Sequence, residues 1–321
     1  MRPSQVILAV VLAATLLSCN RAGKRKQIAV VPKATSHVFW VSVQTGAMAA
    51  GHDFGVDILW NGPAAETDFS RQIQIVDSMI ARQVDGLVLA AGERKALVQS
   101  VDRAAAAGIP VTIFDSGLDS TNYMTFVATN NYEGGQMGAR ELARLIGGEG
   151  EVALLMHTPG SQSTMDREQG FEDTIKREFP KIRIVARQYG QSDRAKALAA
   201  AENFLAGNSN LKGIFASAEP SSVGAALAIK GRNLQDKVML VAFDSSETLV
   251  QDLKDGCVDA LVVQDPFRIG YEAVKTVVDK LKGGIPPKRI DLSARLVHGE
   301  DLAKPEFQQL LFPDLKKYLK H

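Results

Sequence analysis

The sequence predicts an α/β protein with two lobes, each a doubly wound parallel sheet covered by helices on both faces. Short runs rich in Val, Ile and Leu alternate with amphipathic stretches from residue 27 onward, which is the pattern of repeated strand, helix, strand units. The length of 321 residues exceeds the ~100–200 residues of one domain. Two similar segments of the sequence indicate that the lobes share one topology.

Nine apolar runs are predicted to be strands, and the stretches between them helices. Apolar residues recur at spacings of three and four in these stretches, as at Ile73, Val76 and Ile80. Parallel sheets are expected because helices separate the strands and supply the crossover connections. In chain order the predicted strands are QIAVV, VDILW, VDGLVLA, IPVTIFD, EVALLMH, IRIVARQY, KGIFAS, VMLVAFD and VDALVVQ.

The internal repeat joins residues 86–116 to residues 213–245. Each segment contains a strand, a polar turn, an alanine-rich helix and a second strand that ends in Phe-Asp-Ser. We expect a first lobe of residues 27–129 and 265–290 and a second lobe of residues 130–264 and 291–300. Ordered hinge crossings are expected between them because no low-complexity linker separates the two halves. Residues 301–321 are predicted to be a helical tail.

The first nineteen residues have the composition of an export signal. Arg2 precedes an apolar stretch, residues 6–17, which is shorter than the ~20 residues of a membrane-spanning helix. The following LLSC resembles the cleavage box of bacterial lipoproteins, so Cys19 is the predicted lipidation site and residues 20–26 a tether. Because Leu17 is unusual in that box, secretion without lipid stays open. We expect an exported protein in the periplasm or on the cell surface, anchored to a membrane by its lipid.

Composition and motifs exclude several classes of function. A net charge of +1 argues against a nucleic-acid surface, and no dinucleotide-binding, P-loop or nucleophile-turn motif is present. The five histidines are scattered, so neither a metal nor a cofactor is expected. Cys257 lies in an apolar run and is expected to be an inert buried thiol. The sequence therefore predicts a monomeric binding protein for a small molecule and not an enzyme.

Polar and aromatic residues are concentrated where the predicted strands end. Ligands of open α/β sheets bind beyond the carboxyl ends of the strands. Aromatic rings suit the C–H faces of a sugar, and carboxylates and cations suit its hydroxyls, so a polyol is the predicted ligand. The residues at these positions are Lys33, His37, Phe39, Trp40, Asp115, Ser116, Glu219, Asp244 and Gln264.

Six motifs follow one another along the chain: HVFWVSVQTGA, IPVTIFDS, NNYEGGQMGA, REQGF, VAFDSS and VVQDPFRIGYEA. In this order they resemble the bacterial periplasmic sugar-binding proteins of ABC importers, in the cluster of the ribose, autoinducer-2 and rhamnose binders. The resemblance implies the type I periplasmic binding protein fold, with a monosaccharide or similar polyol captured between two closing lobes and delivered to an ABC permease. A furanose signal such as autoinducer-2, or a co-receptor role for a membrane kinase or chemoreceptor, remains an open alternative.

The resemblance also implies roles for single residues. Phe39 and Trp40 would sandwich the sugar, although either could instead pack against the sheet. Asp115 would bind hydroxyls from the first lobe, and Arg167, in the motif REQGF, would donate from the second lobe. Lys33 is similar to a ligand-contacting lysine of the autoinducer-2 and rhamnose binders.

Asp244 and Gln264 would accept hydrogen bonds from the ligand near the hinge. Alternatives stay open, because DSSE at residues 244–247 is a capping box and Gln264 could serve only the hinge. Glu219 would partly replace an asparagine that ribose binders carry. The chain differs from ribose binders in having His37 in place of Asn, Ser116 in place of Arg, Ser192 in place of Phe and Ala218 in place of Asn.

Overall fold

Two six-stranded sheets, each covered by helices, form the two lobes of the protein. The computed structural model describes residues 25–312, 314–315 and 317–319. It confirms the predicted fold of two doubly wound α/β lobes, whereas the predicted lipidation site Cys19 lies outside the described residues. None of the described helices is both long and apolar enough to cross a membrane.

The chain builds most of the first lobe, then the second, and returns to each at its end. The first elements are β1 (Gln27–Val31), α1 (Val38–Phe54), β2 (Asp57–Trp60), α2 (Phe69–Ala81), β3 (Gly86–Leu89), α3 (Val98–Ala106), β4 (Val111–Phe114) and β5 (Thr125–Thr129). The second lobe follows with α4 (Asn131–Leu145), β6 (Gly150–Met156), α5 (Gln162–Glu178), β7 (Ile182–Tyr189), α6 (Arg194–Gly207), β8 (Leu211–Ala216), α7 (Glu219–Gly231), β9 (Met239–Phe243), α8 (Glu247–Lys254) and β10 (Ala260–Val263). The closing elements are α9 (Pro266–Leu281), β11 (Arg289–Leu292), β12 (Arg295–Val297), a 3₁₀-helix (Gly299–Ala303) and α10 (Pro305–Leu311).

Both sheets have the same strand order, which accounts for the sequence repeat. The orders are β11-β5-β4-β3-β1-β2 and β12-β10-β9-β8-β6-β7. All neighbouring strands are parallel except β10 and β12. The order reverses beside β1 in the first lobe and beside β6 in the second, and such switch points open a crevice at the carboxyl ends of the strands. The topology therefore directs the loops after β1 and β6 to one site.

Three strands, β5, β11 and β12, escape the sequence pattern. The sequence of β5, TFVAT, has two threonines, which make this largely buried strand less apolar than the predicted ones. The edge strands β11 and β12 carry exposed side chains. Because β11 pairs with β5 as far as Leu292, the first sheet extends two residues past the expected boundary at residue 290. The chain changes lobe at residues 293–294. In the expected helical tail, α10 ends at Leu311, and the described residues beyond it are not helical.

Apolar clusters fill the space between each sheet and the helices on both of its faces. In the first lobe, α1 and α9 pack side by side on one face through residues such as Val43 and Val274. Trp40, at the start of α1, belongs to this cluster. Cys257 is buried in the second lobe, and burial raises the pKa of its thiol, as expected of an inert cysteine.

In each lobe, a glycine allows two neighbouring helices to come into backbone contact. A Cβ on Gly46 of α1 would lie 1.9 Å from the carbonyl oxygen of Phe267, at the start of α9. A Cβ on Gly135 of α4 would lie 1.9 Å from the carbonyl oxygen of Arg167 on α5. The two pairs are equivalent, because α1 and α5 follow the first strand of their lobes and α9 and α4 each follow a hinge crossing. Only glycine permits this approach.

We expect Gly135→Ala to destabilise the protein by about 1–3 kcal/mol, because the added methyl group must push α5 away from α4. Thermal unfolding monitored by circular dichroism measures this effect. Gly207→Ala is the matched control, since a Cβ there meets no atom within 4 Å. Equal melting temperatures for the two variants would show that the contact between α4 and α5 is not tight.

Candidate functional site

A cavity lies between the lobes, at the carboxyl ends of strands from both sheets. Nine of the ten residues predicted for the site line it, and Ser116 does not. Six lining residues escape the sequence pattern. The complete lining is Lys33, His37, Phe39, Trp40, Glu66, Asp115, His157, Ser163, Thr164, Arg167, Ala218, Glu219, Pro220, Asp244 and Gln264.

Two aromatic side chains at the start of α1 form one wall of the cavity. The rings of Phe39 and Trp40 meet edge to face at a centroid distance of 5.0 Å. Trp40 is only 2% exposed and also contacts Phe114 of β4 edge to face at 6.2 Å. Trp40 therefore belongs to the core and lines the cavity at once, so the two sequence-based readings of this residue are compatible.

A buried ion pair lies on the first-lobe side of the cavity. Nζ of Lys33 lies 2.9 Å from Oδ2 of Asp115, and both side chains are at least 96% buried. The same ammonium donates to the hydroxyls of Ser161 and Ser163 in the second lobe, at 3.2 and 3.0 Å. Ser116 lies behind this pair, where its hydroxyl accepts from the main-chain N–H of Ser163. Ser116 thus contacts the opposite lobe instead of the cavity.

Arg167 is the buried cation of the second lobe, and its guanidinium is held on three sides. Its Nε donates to Oδ1 of Asn131 at 2.8 Å, and Nη1 donates to the carbonyl of Ser217 at 2.9 Å. The guanidinium stacks over the ring of Phe243 at 4.0 Å, a cation–π contact. Nη1 also lies 3.9 Å from a carboxylate oxygen of Asp244. These contacts fix the planar group before any ligand arrives.

Asp244 and Gln264 form a hydrogen-bonded chain near the hinge. Nε2 of Gln264 donates to Oδ1 of Asp244 at 2.7 Å, and its Oε1 accepts from the hydroxyl of Thr129 at 2.6 Å. Oδ2 of Asp244 accepts from the main-chain N–H of Glu219 at 3.0 Å. Asp244 does not cap its own following helix, because the N-cap of α8 is Ser246. Gln264 therefore lines the cavity and also links Thr129 of the first lobe to Asp244 of the second by hydrogen bonds.

Glu219 and His37 face each other from opposite lobes. The carboxylate of Glu219 is buried, and its Oε1 pairs with Arg194. Oε2 lies 3.9 Å from Nδ1 of His37 and has no hydrogen-bond partner among the described residues. Nε2 of His37 lies 3.3 Å from the hydroxyl of Ser192. One carboxylate oxygen of Glu219 thus remains able to accept from a ligand.

Glu66 and His157 are functional candidates that the sequence pattern does not reveal. Oε1 of Glu66 accepts from Nε1 of Trp40 at 2.8 Å, and Oε2 lies 2.9 Å from Nε2 of His157 across the cleft. Burial acts to raise the pKa of Glu66, but the charge and hydrogen bond of His157 hold it well below its ordinary value. His157 could have been predicted by the rule that found Asp115, since His157 directly follows β6 as Asp115 directly follows β4.

The lobes are in direct contact around the cavity, so the cleft is closed. The contacts described above join Lys33 to Ser163, His37 to Glu219, and Glu66 to His157. Carboxylates, cations and flat aromatic surfaces therefore enclose one small space. Such a lining can bind a small molecule that carries many hydroxyls and a partly apolar face.

Comparison with known proteins decides the family. The periplasmic binding protein domain matches residues 28–285. The chain belongs to the periplasmic binding protein family. The D-allose-binding periplasmic protein of Escherichia coli is 30% identical to it over 277 residues, 84% of this chain and 89% of that protein. The ribose import binding protein of Bacillus subtilis is 28% identical over 279 residues, 86% of this chain and 89% of that protein.

Solved structures of other binding proteins superpose on nearly the whole chain. A solute-binding protein from Agrobacterium vitis with bound D-fucose is 36% identical, with a TM-score of 0.86 over 89% of this chain and 100% of that one. A carbohydrate transporter solute-binding protein from Agrobacterium radiobacter, in complex with D-arabinose, is 34% identical, with a TM-score of 0.88 over 90% and 100%. These relatives confirm the prediction that the chain is a periplasmic solute-binding protein and not an enzyme.

We expect Glu66→Gln to lower the free energy of unfolding at pH 7 by about 1–3 kcal/mol, because a charge-assisted hydrogen bond is lost. The pKa of Glu66 is lower in the folded protein, so the stabilisation is present above pH 4.5, its ordinary value, and is lost as the pH falls. The difference in melting temperature between the two proteins should therefore stay constant from pH 7 to about pH 4.5 and narrow progressively below it, with part of it still present at pH 3. Glu202→Gln, at an exposed position of α6, is the control and should match the native protein throughout. A gap that does not narrow below pH 4.5 would contradict this explanation.

Proposed function

We propose that the protein captures a monosaccharide, or a similar polyol, between its two lobes and delivers it to an ABC permease. The observation that carries this proposal is a cavity between the lobes in which buried carboxylates and cations of both lobes meet an aromatic wall. Phe39 and Trp40 offer the apolar surface that suits the C–H face of a sugar ring. Asp115 and Asp244 supply hydroxyl acceptors, and Lys33 and Arg167 supply donors.

The charge of the lining favours a neutral ligand. Four carboxylates line the cavity, those of Glu66, Asp115, Glu219 and Asp244. Only two side chains in the lining, Lys33 and Arg167, carry a permanent positive charge. A sugar acid or sugar phosphate would place a further negative charge beside these four carboxylates, of which Glu66 already pairs with His157 and Glu219 with Arg194, and this repulsion costs electrostatic energy in a buried site. The relatives named above bind neutral sugars, which supports the same ligand class.

Ligand capture would proceed by closure of the lobes. Asp115 belongs to the first lobe and Arg167 to the second, so a ligand touches both only when the cleft is closed. A ligand shifts an equilibrium between open and closed states only through its different affinities for them. Contacts that require both lobes provide that difference. Closure is then the form in which the loaded protein would meet its permease.

A panel of D-arabinose, D-fucose, D-ribose and D-allose tests the ligand class. At 100 times its dissociation constant, a true ligand stabilises the native state by ~2.7 kcal/mol, which raises the melting temperature by several degrees. Trp40 and Trp60 are the only tryptophans, so fluorescence gives a second measurement. Trp60→Phe should keep the ligand-induced change and Trp40→Phe should lose it. Absence of any response to all four sugars would refute the proposed ligand class.

We also propose that a lipid on Cys19 holds the protein at a membrane outside the cytoplasm. The proposal is supported by the sequence LLSC at residues 16–19 and by the periplasmic relatives. The basic segment at residues 20–26 would then be the tether that lets the lobes reach a permease. Genes for a permease and an ATPase beside the gene for this chain would support delivery to an importer.

We expect Cys19→Ala to abolish the lipid and to release the protein from membranes, or to leave it unprocessed. Each buried methylene of an acyl chain contributes ~0.8 kcal/mol of membrane affinity, so the native protein should require detergent for extraction. Mass spectrometry of the mature protein should show the added lipid. Cys257→Ala is the matched control and should retain both properties. Native protein that is wholly soluble and carries no lipid mass would exclude the anchor.

A further inference from the structure

We propose that Nδ1 of His157 hydrogen-bonds a hydroxyl of the ligand, and that Glu66 is the positioning residue that orients the imidazole for this contact. The inference rests on the proposed function and names a contact on the second-lobe side of the cavity. It arises from one pair of buried side chains that touch across the cleft.

The imidazole of His157 is held rigidly at the cavity wall. The side chain is 3% exposed and lines the cavity. Its Nε2 lies 2.9 Å from Oε2 of Glu66, and its main-chain N–H donates to Oε1 of Glu168 at 2.9 Å. Glu66 is fixed in turn, because its other carboxylate oxygen accepts from Trp40. One carboxylate thus sets the orientation of both the aromatic wall and the histidine.

Nδ1 of His157 is the atom left over by these contacts. It is buried, and no described residue is its hydrogen-bond partner. An ionised carboxylate can only accept hydrogen bonds, so the proton between Glu66 and His157 lies on Nε2 of the imidazole. The lowered pKa of Glu66 agrees with an ionised carboxylate. Nδ1 is therefore an acceptor in the neutral ring and a donor in the imidazolium.

A ligand hydroxyl satisfies Nδ1 in either state, because a hydroxyl both donates and accepts. Closure without a ligand would bury this nitrogen unpaired, which is unfavourable for a polar atom. A bound hydroxyl removes that penalty. Charged groups around the pair do not replace the hydroxyl, since Lys33 is bound to Asp115 and two serines, and Arg167 to Asn131 and Ser217. His157 would thus make closure depend on one position of the sugar.

The test compares sugars that lack single hydroxyls. Dissociation constants are measured by calorimetry for D-arabinose, D-fucose, D-ribose and D-allose and for their singly deoxygenated forms. In the native protein, removal of one particular hydroxyl should weaken binding by roughly 5- to 150-fold. In His157→Phe the parent sugar should be weakened by a similar factor, and removal of that same hydroxyl should cost nothing more.

The second lobe offers a matched control pair, His298 and Glu141, whose Nε2 and Oε1 lie 3.0 Å apart away from the cavity. His298→Phe should keep the native pattern at every hydroxyl. If His157→Phe does not fold, His157→Leu serves in its place. A His157 variant that binds sugars with the native pattern of deoxygenation costs would overturn the inference, because a role in lobe contact alone affects all sugars equally. Native protein that binds none of the four sugars would overturn the proposed function as well.

Glu66→Gln tests the positioning role by a different readout. The glutamine oxygen would still accept from Trp40, so its amide would donate to Nε2 and force the proton of His157 to Nδ1. ¹⁵N spectra of histidine-labelled protein at neutral pH should report this exchange of the two nitrogens, with the His157 signals identified by their loss in His157→Asn. Unchanged spectra in Glu66→Gln would remove Glu66 from the proposal.

Discussion

Burial of charge between the lobes is the constraint on which this structure depends, because an unpaired charge away from water is very unfavourable. The protein meets it by pairing charges inside each lobe: Lys33 with Asp115 in the first, and Arg167 with Asp244 and its neutral partners in the second. Contacts that cross the cleft are mostly made to serine hydroxyls, which water can replace at little cost. Separation of the lobes would therefore leave Lys33, Asp115 and Arg167 with charged or polar partners in their own lobes. The contact between Glu66 and His157 is the shortest between titratable side chains of different lobes among the described residues.

The framework that holds these side chains is set by backbone contact and not by side-chain packing alone. Arg167 lies on α5 at the point where that helix touches Gly135 of α4, and Phe39 and Trp40 lie at the start of α1, which touches α9 in the equivalent way. Helices in such close contact cannot shift relative to each other without a clash. Each lobe thus presents its half of the cavity as one packed unit, and three short crossings join the two lobes at the hinge.

Much of the site could be predicted because the ends of the buried strands can be recognised in this sequence. Asp115, Asp244 and Gln264 directly follow buried apolar strands, and the parallel topology then brings them to one edge. Glu66 could not be found in this way, since it lies in a loop whose path depends on tertiary contacts with Trp40. Ser116 follows the same rule as Asp115, yet the left-handed backbone at Asp115, with φ of 56°, turns the chain so that its hydroxyl meets the other lobe. The strands β11 and β12 escaped because edge strands carry polar side chains that resemble loops.

The chain returns to the first lobe through α9 and β11, and this return affects the order in which the two lobes can fold during synthesis. The core of the first lobe contains Ile269, Val274 and Val277 of α9, and its sheet is complete only when β11 pairs with β5. Both elements leave the ribosome after nearly all of the second lobe. The N-terminal lobe, although begun first, must therefore wait with an open sheet edge and a partly covered face until about residue 292, while most of the second lobe can already fold.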